Sequence, residues 1–289
     1  MEEKKDYRKE LFYEKKNGYD SMDAAAREAM EAYCEGYKAY LNDSRTEREA
    51  VANAIRLAER EGFVEYRAGM ELKAGDKVWF NNRGKALMLA VAGKKPLSEG
   101  AVVAAAHVDA PRLDLKQTPL YEDNELAFFK THYYGGIKKY QWTAIPLELH
   151  GVVATKDGEV IEVVIGREKD DPQFVISDLL PHLAADQMKK TLAEGVTGEG
   201  LNILIGSAPY ADEGADRVKL AVMSILNSRY DITEEDFISA ELCAVPAFEV
   251  RDIGLDRSLI GAYGHDDRVC AYAELKAIFD VKEPEQTCV

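Results

Sequence analysis

The chain has 289 residues, enough for one large domain or two ordinary ones, and 46% of them are hydrophobic, which supports a real core. Lys and Arg number 37 against 52 Asp and Glu, a net charge of −15. That balance argues against a nucleic acid partner, whose phosphates need clustered cations, and against an anionic membrane surface, and it favours an acidic cytoplasmic enzyme.

The first twenty residues, MEEKKDYRKELFYEKKNGYD, contain no apolar h-region, so no secretory signal is expected. No apolar run approaches the roughly 20 residues needed to span a bilayer. Helices are expected to fill the first sixty residues. Met30, Tyr33, Cys34, Tyr37 and Leu41 fall on one apolar helical face. Residues 42–44 break that helix, Thr46 with Glu49 forms a capping box for the next, and Gly62 stops it.

From Phe63 the period changes. Residues 77–80, 86–92 and 101–106 are apolar runs separated by turn-forming residues. The last run, Ala101-Val102-Val103-Ala104-Ala105-Ala106, has no polar residue to turn toward water, which predicts a strand buried on both faces. Strands of that kind carry ligands at their carboxyl ends, and His107-Val108-Asp109-Ala110-Pro111 follows here.

Residues 117–250 have a different texture. Strands are expected at 145–150 and 159–165, and helices at 177–194, with Pro181 in its first turns, and at 218–228. This segment reads as a second domain spliced into the first. After it, Ile260 to Gly264 lead into His265-Asp266-Asp267-Arg268 and a helix over 269–279. The cysteines, Cys34, Cys243, Cys270 and Cys288, are scattered without a CxxC pair, so neither a disulfide framework nor a Cys-rich zinc module is indicated.

Two pieces carry chemistry. His107 and Asp109 are two apart at a strand end, so their side chains share a face, and a carboxylate one pleat away can hold a ligating imidazole. Pro111 stiffens the exit by restricting Ala110 to extended backbone. Alone, the pair reads more readily as a satisfied histidine at a strand end. Asp266-Asp267 is readable as a helix cap, or as the source of a carboxylate bridging two divalent cations. A phosphohydrolase reading of the His265-Asp266 dyad needs an all-helical setting, which the flanking α/β pattern opposes.

Together, AAHVDAPRLDLK (105–116), YYGGIKKYQWTAIPLELHG (133–151), DLLPHLA (178–184) and YGHDDRVCAYAELKAIFD (263–280) resemble the aspartyl aminopeptidase/aminopeptidase I family of zinc exopeptidases, most closely its bacterial members. The resemblance runs over nearly the whole chain in the family's order. It implies an α/β fold: a peptidase domain, here 1–116 and 252–289, interrupted by a β-rich dimerisation domain at 117–251. By the same resemblance, His107 and Asp266 are metal ligands, Asp266 being the bridging one, and Asp109 is the aspartate that orients the site. His182 matches a histidine lent to a neighbouring subunit's active site. His132, His150 and His265 receive no role, and His150 is expected opposite the apolar side of its strand.

The cofactor implied is Zn²⁺, two per site in the intact enzyme, with Mn²⁺ or Co²⁺ as substitutes. The substrate implied is a peptide losing N-terminal residues, acidic ones among them. The partner implied is a homo-oligomer of dimers building a larger shell. The family's Glu-Glu pair, a further Asp and a late His have no match within 289 residues. Residues 287–289 begin an apolar run too short for a strand of the usual five or six. The sequence therefore reads as the N-terminal portion of a longer enzyme, with a non-catalytic oligomerisation or regulatory fragment as the alternative.

Overall fold

In the computed structural model, which describes residues 7–289, a short helix α1 (Tyr7–Leu11) precedes the first long one, α2 (Ala24–Asn42). The expected helical start also covers residues 1–6, which lie outside the described residues. Asp23 begins α2, its carboxylate accepting from the Ala26 amide at 2.7 Å. Helix α3 (Glu47–Arg60) opens with the expected capping box: Glu49 Oε2 accepts from the Thr46 amide, and Thr46 Oγ1 accepts from the Glu49 amide. Gly62, at φ +86°, ends it in the left-handed region that favours glycine.

Strands β1 (Val64–Glu65), β2 (Lys77–Asn82), β3 (Ala86–Val91) and β4 (Ala101–Val102) follow. Next come β5 (Arg112–Asp123), β6 (Leu126–Tyr134), β7 (Leu147–Ala154) and β8 (Val160–Ile165). A four-residue helix α4 (Leu192–Gly195), strand β9 (Ile203–Gly206), helix α5 (Arg217–Tyr230) and strand β10 (Glu241–Pro246) succeed them. The chain continues with a hairpin of β11 (Arg251–Ile253) and β12 (Leu259–Gly261), then α6 (His265–Asp280) and β13 (Thr287–Cys288).

Two main sheets result. One is mixed, in the order β1-β2-β3-β13-β4; the other is antiparallel, in the order β8-β7-β10-β5-β6-β9. Each has its own core. Tyr37, Leu41, Phe63, Val91, Tyr272 and Phe279 pack α2, α3 and α6 on the mixed sheet. The expected stripe of α2 meets Tyr272 of α6, whose ring centroid lies 5.2–5.4 Å from those of Tyr33, Tyr37 and Tyr40. Leu113, Phe129, Leu147, Leu149, Leu226 and Phe237 belong to the core of the antiparallel sheet with α5. The Glu122 carboxylate accepts from the Val218 and Lys219 amides at the start of α5. Strand β5 begins at Arg112, so it straddles the expected division at 116/117.

Three expectations are corrected. Of residues 101–106 only Ala101 and Val102 form a strand, and the run is exposed, Val103 at 66%. It lies at the sheet edge and lines an open apolar groove of about 930 Å³ beside α3, β3 and α6, so neither face is covered as a buried strand requires. Residues 177–194 form turns instead of a helix, with only α4 at the end. Leu180, Leu183 and Met188 stay exposed there, so no apolar face is buried to stabilise helical turns, and Pro181 supplies no amide hydrogen. The Asp178 carboxylate takes the Leu179 amide and the Gln187 side chain instead. Finally, His150 is buried at 1% exposure, because α3 covers the face of β7 that alternation leaves to water.

Candidate metal centre

His107 sits in the connection between β4 and β5, three residues past Ala104, whose amide donates to the Val289 carbonyl, and Asp266 sits at the start of α6. The connection and the helix are tied by the Tyr263 hydroxyl, which donates to the Pro111 carbonyl at 2.8 Å. Asp266 and Asp267, joined by a cis peptide bond, keep non-helical backbone angles. On either side the helix start is anchored. His265 Nε2 lies 3.1 Å from the Ile260 carbonyl, which can only accept, so Nδ1 accepts from the Tyr37 hydroxyl at 2.9 Å. Arg268, fully buried, donates to the Arg45 carbonyl at 3.1 Å and lies over the Tyr263 ring. His265 is thus a structural residue paired to α2, with no second histidine beside it among the described contacts.

This anchoring brings Asp266 Oδ1 to 3.3 Å from His107 Nε2, inside the roughly 6 Å expected of two ligands around one ion. On the other side of the imidazole, Nδ1 lies 3.1 Å from both Asp109 Oδ1 and the Asp109 carbonyl. Those oxygens accept, so Nδ1 carries the proton and Nε2 turns its lone pair toward Asp266. A lone pair facing a carboxylate oxygen at 3.3 Å is repulsive unless a proton or a cation lies between them. Bonds of about 2.0–2.1 Å at a tetrahedral angle set neighbouring donor atoms about 3.3 Å apart, so the pair fits two ligands of one zinc ion. Both side chains are open to solvent, Asp266 at 89%. Among the described residues, no group of three or more His, Cys, Asp or Glu side chains is gathered to hold a metal.

The surrounding carboxylates favour positive charge at this place, whether a proton on the imidazole or a cation beside it. Partial burial pulls the His107 imidazole down, but the Asp109 contacts and the Asp267 charge outweigh it and hold it above its ordinary value. Burial raises the Asp109 carboxyl, yet the Tyr134 hydroxyl and His107 bring it below the usual carboxylate range.

The structure therefore brings three of the four sequence-derived site residues together: His107, Asp109 and Asp266. His182 is exposed in the turn segment after Pro181 and makes no hydrogen bond or ion pair with them. Two neighbours escaped the sequence reading. Tyr134 donates to Asp109 Oδ2 at 2.7 Å, and the Arg112 guanidinium lies 4.2 Å from the Tyr134 ring centroid. Counting outward from the Asn124-Glu125 turn would set Tyr134 opposite Leu115. An irregularity between Leu115 and Leu120 places it opposite Arg112 instead.

Comparison with known proteins bears on this centre. The family described as "Aminopeptidase I zinc metalloprotease (M18)" matches residues 40–288. A probable M18 family aminopeptidase 1 of Clostridium acetobutylicum is 47% identical over 285 residues, covering 97% of this chain and 61% of the relative. The crystal structure of an M18 aminopeptidase from Thermotoga maritima superimposes with a TM-score of 0.89 at 43% identity, over 96% of this chain and 60% of that one. A Saccharomyces cerevisiae mApe1 dodecamer, at 18% identity and a TM-score of 0.67, shares the fold. The chain spans about three fifths of the length of these relatives. With its α/β architecture and motifs in order, the chain belongs to the M18 family of aminopeptidase I zinc metalloproteases.

Proposed function

We propose that this chain carries the first half of a di-zinc centre of an aminopeptidase that removes N-terminal residues, acidic ones among them, from peptides. The observation that carries the reading is the 3.3 Å approach of His107 Nε2 to Asp266 Oδ1, with Asp109 behind the imidazole. His107 would be a terminal ligand, Asp266 the ligand shared between two ions, and Asp109 the group that fixes the ring. When bound, zinc supplies Lewis acidity, polarising a carbonyl and making water nucleophilic at neutral pH; Mn²⁺ or Co²⁺ could substitute. Two donors leave an ion mostly solvated, so further ligands and a general base are needed from outside the described set.

The same reading divides the chain into a peptidase part, 1–116 and 252–289, and an inserted dimerisation part, 117–251. The two separate cores support that division. His182, exposed on the inserted part, would serve a neighbouring subunit, and dimers would build a larger shell, the yeast relative being a dodecamer. Among the described residues no helix is long and apolar enough to cross a membrane. We place the protein in the cytoplasm, without a nucleic acid or membrane partner.

The test is direct. The purified 289-residue chain, given Zn²⁺, Mn²⁺ or Co²⁺ and an aspartyl or glutamyl anilide, should show no turnover. It should bind zinc weakly by calorimetry and lose that binding on Asp266→Ala. A longer gene product containing the remaining donors should turn over the anilide. Metal-dependent turnover by the short chain would refute the two-donor argument. The alternative, an oligomerisation or regulatory fragment, is favoured by the two-donor site; it predicts stable oligomers with no zinc bound, and zinc stoichiometry measured beside oligomeric state separates the two.

A further inference from the structure

The Asp109 carboxylate is held at both oxygens. Oδ1 faces His107 Nδ1 at 3.1 Å, and Oδ2 accepts from the Tyr134 hydroxyl at 2.7 Å. Tyr134 in turn lies against the flat face of Arg112, directly across the β5–β6 pair. Arg112 is fixed as well: Nε donates to Asp114 Oδ1 at 2.7 Å, and Nη1 lies 3.5 Å from Glu47 Oε2 at the start of α3. A chain of contacts thus runs from the rigid junction of β5, β6 and α3 out to an imidazole that is half exposed. Freed at Oδ2, the carboxylate could rotate away and leave Nδ1 only the Asp109 carbonyl, also at 3.1 Å, which weakens the preference for a proton on Nδ1 over one on Nε2 facing Asp266.

We propose that Tyr134, backed by Arg112, is a positioning residue that locks the Asp109 carboxylate and thereby keeps His107 in the Nδ1–H tautomer, its Nε2 lone pair presented to the cation site. The inference rests on the reading of His107 as a metal ligand for its purpose, but the lock itself is a property of the metal-free chain.

It is tested on the 289-residue chain, with histidines ¹⁵N-labelled, by long-range ¹H–¹⁵N correlation at alkaline pH, where the His107 imidazole is neutral. His107→Gln identifies the signal. The wild type should show His107 predominantly as the Nδ1–H tautomer. Tyr134→Phe should lower the ratio of Nδ1–H to Nε2–H severalfold, short of the roughly tenfold worth of a whole hydrogen bond to a charged group, because the Asp109 carbonyl still accepts from Nδ1. Arg112→Lys, which keeps the charge but not the planar face, should lower it less. The buried His150 signal should stay in place, showing that the fold is retained. A merely structural Tyr134 would lower thermal stability without moving the ratio. An unchanged ratio in Tyr134→Phe, with Asp109→Asn shifting it, would overturn the proposal. If the variants shift the ratio while added Zn²⁺ leaves the His107 signals unmoved, the lock stands and the metal-ligand reading fails.

Discussion

Substituting Glu148 by Gln should cost about 3 kcal/mol of stability near pH 6, through two buried cations at once. Glu148 is 2% exposed, and its Oε1 lies 3.1 Å from Arg45 Nε and 3.3 Å from His150 Nε2. Both contacts are close but off-axis, ion pairs more than directed hydrogen bonds. The directed bond of His150 runs from Nδ1 to Glu49 Oε1 at 2.8 Å. Burial pulls the imidazole down, but contact with Glu148 and Glu49 more than reverses this, bringing it to about 9 from 6.5. That rise corresponds to roughly 3 kcal/mol, shared between the two carboxylates. Leaving Arg45 without its partner adds to Glu148's share, within the roughly 3–5 kcal/mol found when one member of a buried pair is removed.

The folded-state value of His150 lies above its unfolded one. Its stabilisation is therefore complete below about 6.5 and fades as pH rises through about 9. Urea unfolding of wild type and Glu148→Gln, followed by circular dichroism at pH 6 and pH 10, should show the larger loss at pH 6. At pH 10 only the Arg45 part should remain. A loss below about 1 kcal/mol at pH 6, or one equal at both pH values, would refute the network as a source of stability.

Gly264→Ala should destabilise by about 2 kcal/mol or more in the same assay, because the glycine sits at φ +86° and an added Cβ would lie 1.9 Å from Arg268 Nη1; a loss under about 0.5 kcal/mol would show that Arg268 moves freely. Thr46→Ala removes the side-chain half of the α3 capping box and should cost about 1 kcal/mol, read from the urea midpoint. Cys243 is fully buried, and burial pushes its thiol up, whereas Cys270 is exposed. Mass spectrometry after brief alkylation should therefore find Cys270 modified and Cys243 untouched until denaturant is added.

Local chemistry was readable wherever the deciding partners lie a few residues apart. The Thr46–Glu49 box, the glycine stop at Gly62 and the helix after His265 all formed as their residues dictate. Residues 177–194 read as a helix, but a helix there holds only when an apolar face is covered, and that depends on distant packing. His150 was misplaced for the same reason, since the strand's alternation says nothing about α3 lying over it. The meeting of His107 with Asp266, 159 positions on, came from agreement among four motifs and from no local pattern. Tyr134 was hidden by an irregular register that no count from the hairpin turn reveals.

The first turn of α3 has a mechanical consequence. Within five positions, Arg45 grips Glu148, Glu47 steadies Arg112, and Glu49 both caps the helix and holds His150. The six-stranded sheet is therefore clamped to the mixed sheet by a helix end, which resists torsion in a way that a linker cannot. Leverage applied to the outer strands would reach α3 at the same turn whose Glu47 faces Arg112, beneath Tyr134 and Asp109. The two halves of the molecule are fastened at one turn, and the candidate centre stands beside it.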